Sequence, residues 1–81
     1  MRVSYSGHAE ASLLDRELDR EWVERTLRWP EVVEPDPKHP ERLRAFRAIP
    51  ERDGRVLRVV YVRQGDRYRV ITVFFDRGRR R

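Results

Sequence analysis

"RVLRVVYVRQGDRYRVITVFF", residues 55–75, is the stretch on which the fold turns. Two runs of β-branched and aromatic residues flank the turn-forming "QGD", the pattern of a β-hairpin. If Gly65 is the last residue of a three-residue loop, it takes the left-handed position of a bulged turn, and odd positions pair with odd. Leu57, Val59, Tyr61, Ile71, Val73 and Phe75 then share one face, suited to a core. Arg58, Tyr68 and Thr72 share the other with Val60, Val62, Val70 and Phe74. A two-residue loop regroups these sets by one position; the bulged register is preferred.

Working backwards, "PERDG" turns the chain, and "RLRAFRAI" (42–49) alternates as a strand does. "PDPKHPE" (35–41) carries three prolines in seven residues and reads as a loop. "EVVEP" (31–35) and the opening "MRVSYS" are each a short strand or an extended lead-in. Between them the period becomes helical. Ser6 is a candidate N-cap for a helix from His8 to Leu18, with Ala11, Leu14 and Leu18 as its apolar positions. Asp19 is a second N-cap, followed by Trp22, Val23, Thr26 and Leu27 as an inner face, and Trp29-Pro30 ends that helix. The expected fold is α+β: two N-terminal helices packed across a twisted, mostly antiparallel sheet of three or four strands. Residues 1–76 form a single domain and residues 77–81 a basic tail.

At 81 residues the chain has room for one modest core. Only 38% of residues are hydrophobic and 41% are charged, yet the eight aromatics and clustered Val and Ile point to a folded domain rather than a disordered one. Cysteine is absent, which excludes disulfides and thiolate metal sites. No apolar run approaches the ~20 residues of a membrane span, and no signal-peptide core opens the chain. A cytoplasmic protein without membrane contact is expected.

Charge is segregated along the chain. Residues 1–41 hold 6 basic and 10 acidic side chains, whereas residues 42–81 hold 13 arginines and 4 acids. Of 19 basic residues 18 are Arg, whose planar fork suits phosphate. A GC-rich genome explains Arg over Lys, but not the confinement of the surplus to one half. An anionic partner, nucleic acid first, is the reading that fits.

Several chemistries drop out. His8-Ala9-Glu10 has the H-x-E half of a zinc deaminase signature without its cysteines. His8 and His39 lie 31 residues apart with no ligand-spaced cluster, so no metal site is expected. No glycine-rich phosphate loop and no nucleophile elbow is present. His8 is the remaining acid–base candidate, because imidazole titrates near neutrality; as an isolated residue it equally suits a helix start facing solvent. Helical spacing sets it on one stripe with Ser12 and Arg16. Arg44, Arg47, Arg58 and Arg69 sit on strands, where a guanidinium either reaches a phosphate or blunts a sheet edge against aggregation. Arg77, Arg79, Arg80 and Arg81 read as a mobile arm with salt-sensitive attraction to polyanions.

The order of these pieces resembles a small bacterial family, domain-of-unknown-function family 4258. The carrying residues are "S-x-HA" at Ser6–Ala9, Arg16 eight residues after the histidine, Leu18, Val23 and Leu27, then "WPEVVEPD" and "LRVVYV…YRVITVFF". The resemblance implies the helix-plus-sheet fold of RelE- and barnase-like ribonucleases, and RNA-cleaving toxins with antitoxin partners. His8 and Arg16 match the family's histidine and second helix arginine. Its intervening arginine is Ser12 here, its Gly-Ile is Glu17-Leu18, and Thr72 matches a small hydroxyl residue of the last strand. The implied function is a metal-independent, cofactor-free endoribonuclease. In it His8 serves as acid or base, Arg16 and Arg58 stabilise charge on the phosphate, and Tyr61 or Thr72 positions it. Arg44, Arg47, Arg69, Arg77 and Arg79 would hold RNA. The alternative is a non-catalytic module that binds nucleic acid or protein through an arginine-rich sheet face.

Overall fold

In the computed structural model, which describes residues 1–79, the chain runs β1 (Arg2–Tyr5), α1 (Gly7–Asp15), α2 (Arg20–Arg28), β2 (Val32–Pro35), β3 (Leu43–Ile49), β4 (Arg55–Gln64) and β5 (Arg67–Phe75). A short 3₁₀ turn, Pro50–Arg52, joins β3 to β4. The strands form one sheet in the order β1-β5-β4-β3-β2. Strands β2 to β5 pair antiparallel, while β1 pairs parallel to β5. The α+β class is as expected, but the sheet has five strands rather than three or four, is mixed, and begins ahead of the helices. The two additional strands are its edges, each only four residues long. Such short segments carry too few alternating positions to separate a strand from an extended lead-in. No helix among the described residues is long and apolar enough to cross a membrane.

The hairpin corrects the preferred register. Its loop is the two-residue pair Gly65–Asp66, with a left-handed φ of +61° confined to Gly65. Near the turn odd residues oppose even ones, as in Tyr61 opposite Val70 and Gln64 opposite Arg67. A bulge between Val60 and Tyr61 then leaves Ile71 unpaired, and beyond it odd opposes odd, with Val59 opposite Val73 and Leu57 opposite Phe75. Strict alternation from Tyr68 would have put Thr72 inside and Val73 outside. One extra residue resets the phase, so Tyr68, Val70, Val73 and Phe75 face the core. Arg69, Thr72 and Phe74 face away. Val70 therefore holds the core position expected of Ile71 and is completely buried.

Both helices cover one face of this sheet, where Leu13, Val23 and Leu27 meet Ala45, Ile49, Leu57, Val59, Val70 and Val73. Asp19 caps α2 as expected, accepting from the Glu21 N–H at 2.9 Å, and Val23, Thr26 and Leu27 are buried. At α1 the Ser6 hydroxyl accepts from the Ala9 N–H at 3.0 Å and donates to the Ile71 carbonyl at 2.9 Å, tying the helix start to the bulge. The inward face of α1 is Ala9, Ser12 and Leu13, not Ala11 and Leu14; Leu14 is 80% exposed.

The shift follows from where α1 stops. It ends at Asp15, not Leu18, because Glu17 adopts φ +53°. The Leu18 N–H bonds the Leu13 carbonyl at 2.9 Å and the Glu17 N–H bonds the Leu14 carbonyl at 3.3 Å. This is a Schellman cap, which turns Leu18 back into the core beside Leu13. The left-handed position favours glycine. Glu17→Gly is expected to stabilise the fold by about 0.5–1 kcal/mol, the relief of side-chain strain less the entropy of glycine. Thermal melting followed by circular dichroism should show a midpoint roughly 2–8 °C higher. An unchanged or lowered midpoint would mean that Glu17 adopts the turn without strain.

Candidate nucleic-acid interface

With the helices on one side, the opposite face of the sheet is left open. Register assigns it Arg44 and Phe46 from β3, Arg58, Val60 and Val62 from β4, Arg69, Thr72 and Phe74 from β5, and Arg2 and Ser4 from β1. The two ends of this face differ in charge compensation.

At one end guanidinium groups lie over aromatic rings. Phe46 is only 2% exposed although no helix covers it. Its cover is Arg79 at 3.7 Å from the ring centroid, Arg58 at 5.5 Å and Arg44 at 5.6 Å. Arg58 also lies 4.8 Å from the centroid of Phe74. Each of these cations has an acidic partner. Arg58 donates twice to Asp76 Oδ2, at 3.1 Å from Nε and 2.5 Å from Nη2. Glu34 receives Arg44 at 3.0 Å and Arg79 at 2.8 Å. The hydrogen bond from Arg58, with smaller help from the Gly78 N–H and the nearby charges of Arg58 and Arg79, holds the Asp76 carboxyl below its ordinary pKa.

At the other end the arginines have no such partners. A shallow groove of about 490 Å³ is lined by Ser4, Arg42, Val62, Gln64, Arg67 and Arg69, with Glu41 as its one acid. An adjoining hollow of about 250 Å³ adds Arg2. Among the described residues, no carboxylate lies within 4.0 Å of the guanidinium of Arg2, Arg42, Arg67 or Arg69. Parallel pairing sets Arg2 beside Arg67 and Ser4 beside Arg69. Like charges gathered this way without counterions raise the local potential and suit a polyanion.

The residues expected to act together are divided between the layers. His8 is exposed in the first turn of α1, and its imidazole forms no hydrogen bond or ion pair with another described residue. Arg16 is exposed at the other end of that helix. Ser12, the middle of the expected polar stripe, is 7% exposed and faces the sheet. Arg58 and Thr72 belong to the open face, so the sheet stands between them and the helix layer. Tyr61 points to the helix side, 5% exposed and stacked on Tyr68 at 5.6 Å, and burial pushes its phenol pKa up.

The RNA-binding candidates divide likewise. Arg69 lies in the groove and Arg44 in the compensated network. Arg47 is on the helix side, where Nη1 donates to the Trp29 carbonyl at 2.6 Å. Arg77 is exposed. Arg79, expected in a mobile arm, is docked on Phe46, while Arg80 and Arg81 lie outside the described residues. Sequence reasoning missed Arg2, Ser4, Arg42, Gln64 and Arg67. Arg67 is legible in the sequence, because a strand returns to the same face every second residue and Arg69 lies two positions on. Among the described residues, no group of three His, Asp or Glu is placed to hold a metal ion.

No curated protein and no solved structure matches the chain. A family model does, described as "Domain of unknown function (DUF4258)", and it spans residues 5–75. Its match runs from the last residue of β1 to the last residue of β5 and so takes in both helices and the whole hairpin. On that evidence the chain belongs to the DUF4258 family.

Proposed function

We propose that this domain binds RNA through the open face of its sheet, with the groove at Arg2, Arg42, Arg67 and Arg69 holding the phosphate backbone. The carrying observation is the contrast within one face: arginines at the Phe46 end are paired with Glu34 and Asp76, whereas those of the groove have no acidic partner among the described residues. These guanidiniums break no intramolecular ion pair when a phosphate arrives and gain bidentate hydrogen bonds. Ser4 and Gln64 add neutral donors and acceptors able to meet a 2′-hydroxyl, which supports RNA over DNA.

Binding is better supported than cleavage. Removal of the 2′-proton needs a base within hydrogen-bond reach of the 2′-hydroxyl beside the bound phosphate. His8 lies in the helix layer, and the carboxylates beside Arg58 are committed to arginines. The test is a titration of an RNA of about 12 nucleotides in EDTA, within the span such a face covers. Over roughly 50 to 200 mM salt, four backbone contacts should give a slope of log affinity against log salt of about −3. The RNA should emerge intact and bind more tightly than DNA of the same sequence. Salt-independent binding would sink the proposal. Cleavage products that vanish in His8→Ala would replace it with the ribonuclease reading.

A further inference from the structure

We infer that Phe46 and Phe74 form a base-stacking subsite for single-stranded RNA, which Arg79 occupies and closes in the free protein. The inference rests on the RNA-binding reading and adds to it the class of RNA and a built-in competitor. Phe46 and Phe74 project from the side of the sheet that no helix covers, which is an unusual place for two phenyl rings unless something lies on them. What lies on Phe46 is a guanidinium in stacking contact. Arg79 is 3.7 Å from its centroid, whereas Arg58 and Arg44 flank the ring at 5.5 and 5.6 Å. A planar guanidinium and a nucleobase stack on the same aromatic surface.

Arg79 is also held in a way that permits release. Its side chain is 35% exposed, its ion pair with Glu34 at 2.8 Å is equally open to solvent, and its second, to Asp76 Oδ2, is long at 4.0 Å. Its backbone is tethered by one long hydrogen bond, from its N–H to the Asp76 carbonyl at 3.4 Å. Arg58 is fixed more firmly, by two bonds to an Asp76 side chain that is only 10% exposed. An arriving base thus displaces Arg79 and finds Arg58 still beside the ring. The freed Arg79 remains close enough to meet a phosphate.

Spacing connects the two subsites. Val62, opposite Arg69, belongs to the groove, and Arg58, opposite Phe74, belongs to the platform. Four residues of strand separate them, roughly 13 Å. That distance spans about four stacked nucleotides of one strand, or fewer when they are splayed. A paired base cannot leave its stack without cost, so the platform selects single strands.

The experiment compares affinity for a single-stranded RNA with that for its duplex, in the wild type, Arg79→Ala and Arg79→Ala/Phe46→Leu. Taking the ratio cancels the loss of one phosphate-binding cation. Arg79→Ala should raise the single-strand preference about two- to fivefold, the value of one released cation–π contact. Phe46→Leu, which keeps an apolar side chain at that position, should remove that gain, with circular dichroism checking that the domain stays folded. A parallel titration with adenosine monophosphate, read by NMR, should show upfield ring-current shifts of the base protons that are larger in Arg79→Ala. An unchanged preference, or nucleotide shifts that ignore both substitutions, would overturn the inference. Should the wild type fail to retain the RNA, the RNA-binding reading falls, and the nucleotide titration still decides whether the platform stacks a base.

Discussion

Arg67→Gln combined with Arg69→Gln is expected to weaken RNA binding about 30- to 100-fold near 0.1 M salt, at roughly 1 kcal/mol or slightly more per lost charged contact. The slope of log affinity against log salt should become shallower by about 1.4, since each contact to a single strand releases about 0.7 counterion. Both side chains are exposed and neither has a carboxylate partner among the described residues, so their removal strands no acid. The variant should keep the wild-type circular dichroism spectrum and melting midpoint. The paired Lys substitutions separate charge from geometry: they keep the slope and lose only the bidentate fork. Wild-type affinity in the Gln variant would move the binding site off the groove altogether.

The charge asymmetry along the chain is what places this surface. The arginine-rich half contains β3, β4 and β5, and alternate residues of those strands make up most of the open face. The acidic half contributes the helices, whose carboxylates meet arginines locally. Glu10 takes Arg20 at 2.6 Å, and Glu51, from the arginine-rich half, crosses over to Arg25 on α2 at 2.7 Å. Glu34 on β2 is the exception that shapes the site. Lying opposite Arg44, it neutralises the Phe46 end of the face and leaves the surplus at the β1–β5 edge.

Much of this was legible in the sequence because it rests on local rules. The caps at Ser6 and Asp19, the inner face of α2 and its end at Trp29-Pro30 all follow from short-range chemistry. So does the existence of the hairpin. What stayed hidden depends on contacts between distant segments. Nothing local marks Ile71 as a bulge, because "VIT" alternates as well out of phase as in phase. The bulge is settled by the core's demand for Val73 and Phe75 together with Tyr68 and Val70. Glu17 carries no signature of a left-handed residue, so the helical pattern runs on to Leu18 in the sequence and points to Ala11 and Leu14 rather than Ala9, Ser12 and Leu13. At the site, Arg44 and Arg47 differ by an odd number of strand positions and cannot share a face. That much was readable. The docking of Arg79 was not, because it depends on Phe46, Glu34 and Asp76, which only the folded sheet brings together.

The Arg58–Asp76 pair should control the stability of the open face and its response to acid. Arg58→Met keeps an apolar stem over Phe46 and Phe74 but leaves Asp76 without its main partner. A loss of about 2 kcal/mol at pH 7 is expected, the scale of a charge-assisted double hydrogen bond. It stays below the 3–5 kcal/mol of a wholly buried pair because the Arg58 side chain is 23% exposed and solvent screens it. Denaturant titration should show the midpoint falling with the slope unchanged. The pH dependence follows from the direction of the Asp76 shift. Its folded pKa is depressed, so the contribution is fully present above the ordinary carboxylate value near ~3.9 and disappears as pH falls through the depressed one. The gap between wild type and variant should hold from neutrality to about pH 5 and close at more acid pH. Glu51, whose carboxyl the Arg25 hydrogen bond brings down to about 2, adds acid sensitivity to both proteins alike and cancels in the difference. Should the gap persist undiminished at the acid end, Arg58 would be acting through its stacking on Phe46 and Phe74, with Asp76 a bystander to the stability of the face.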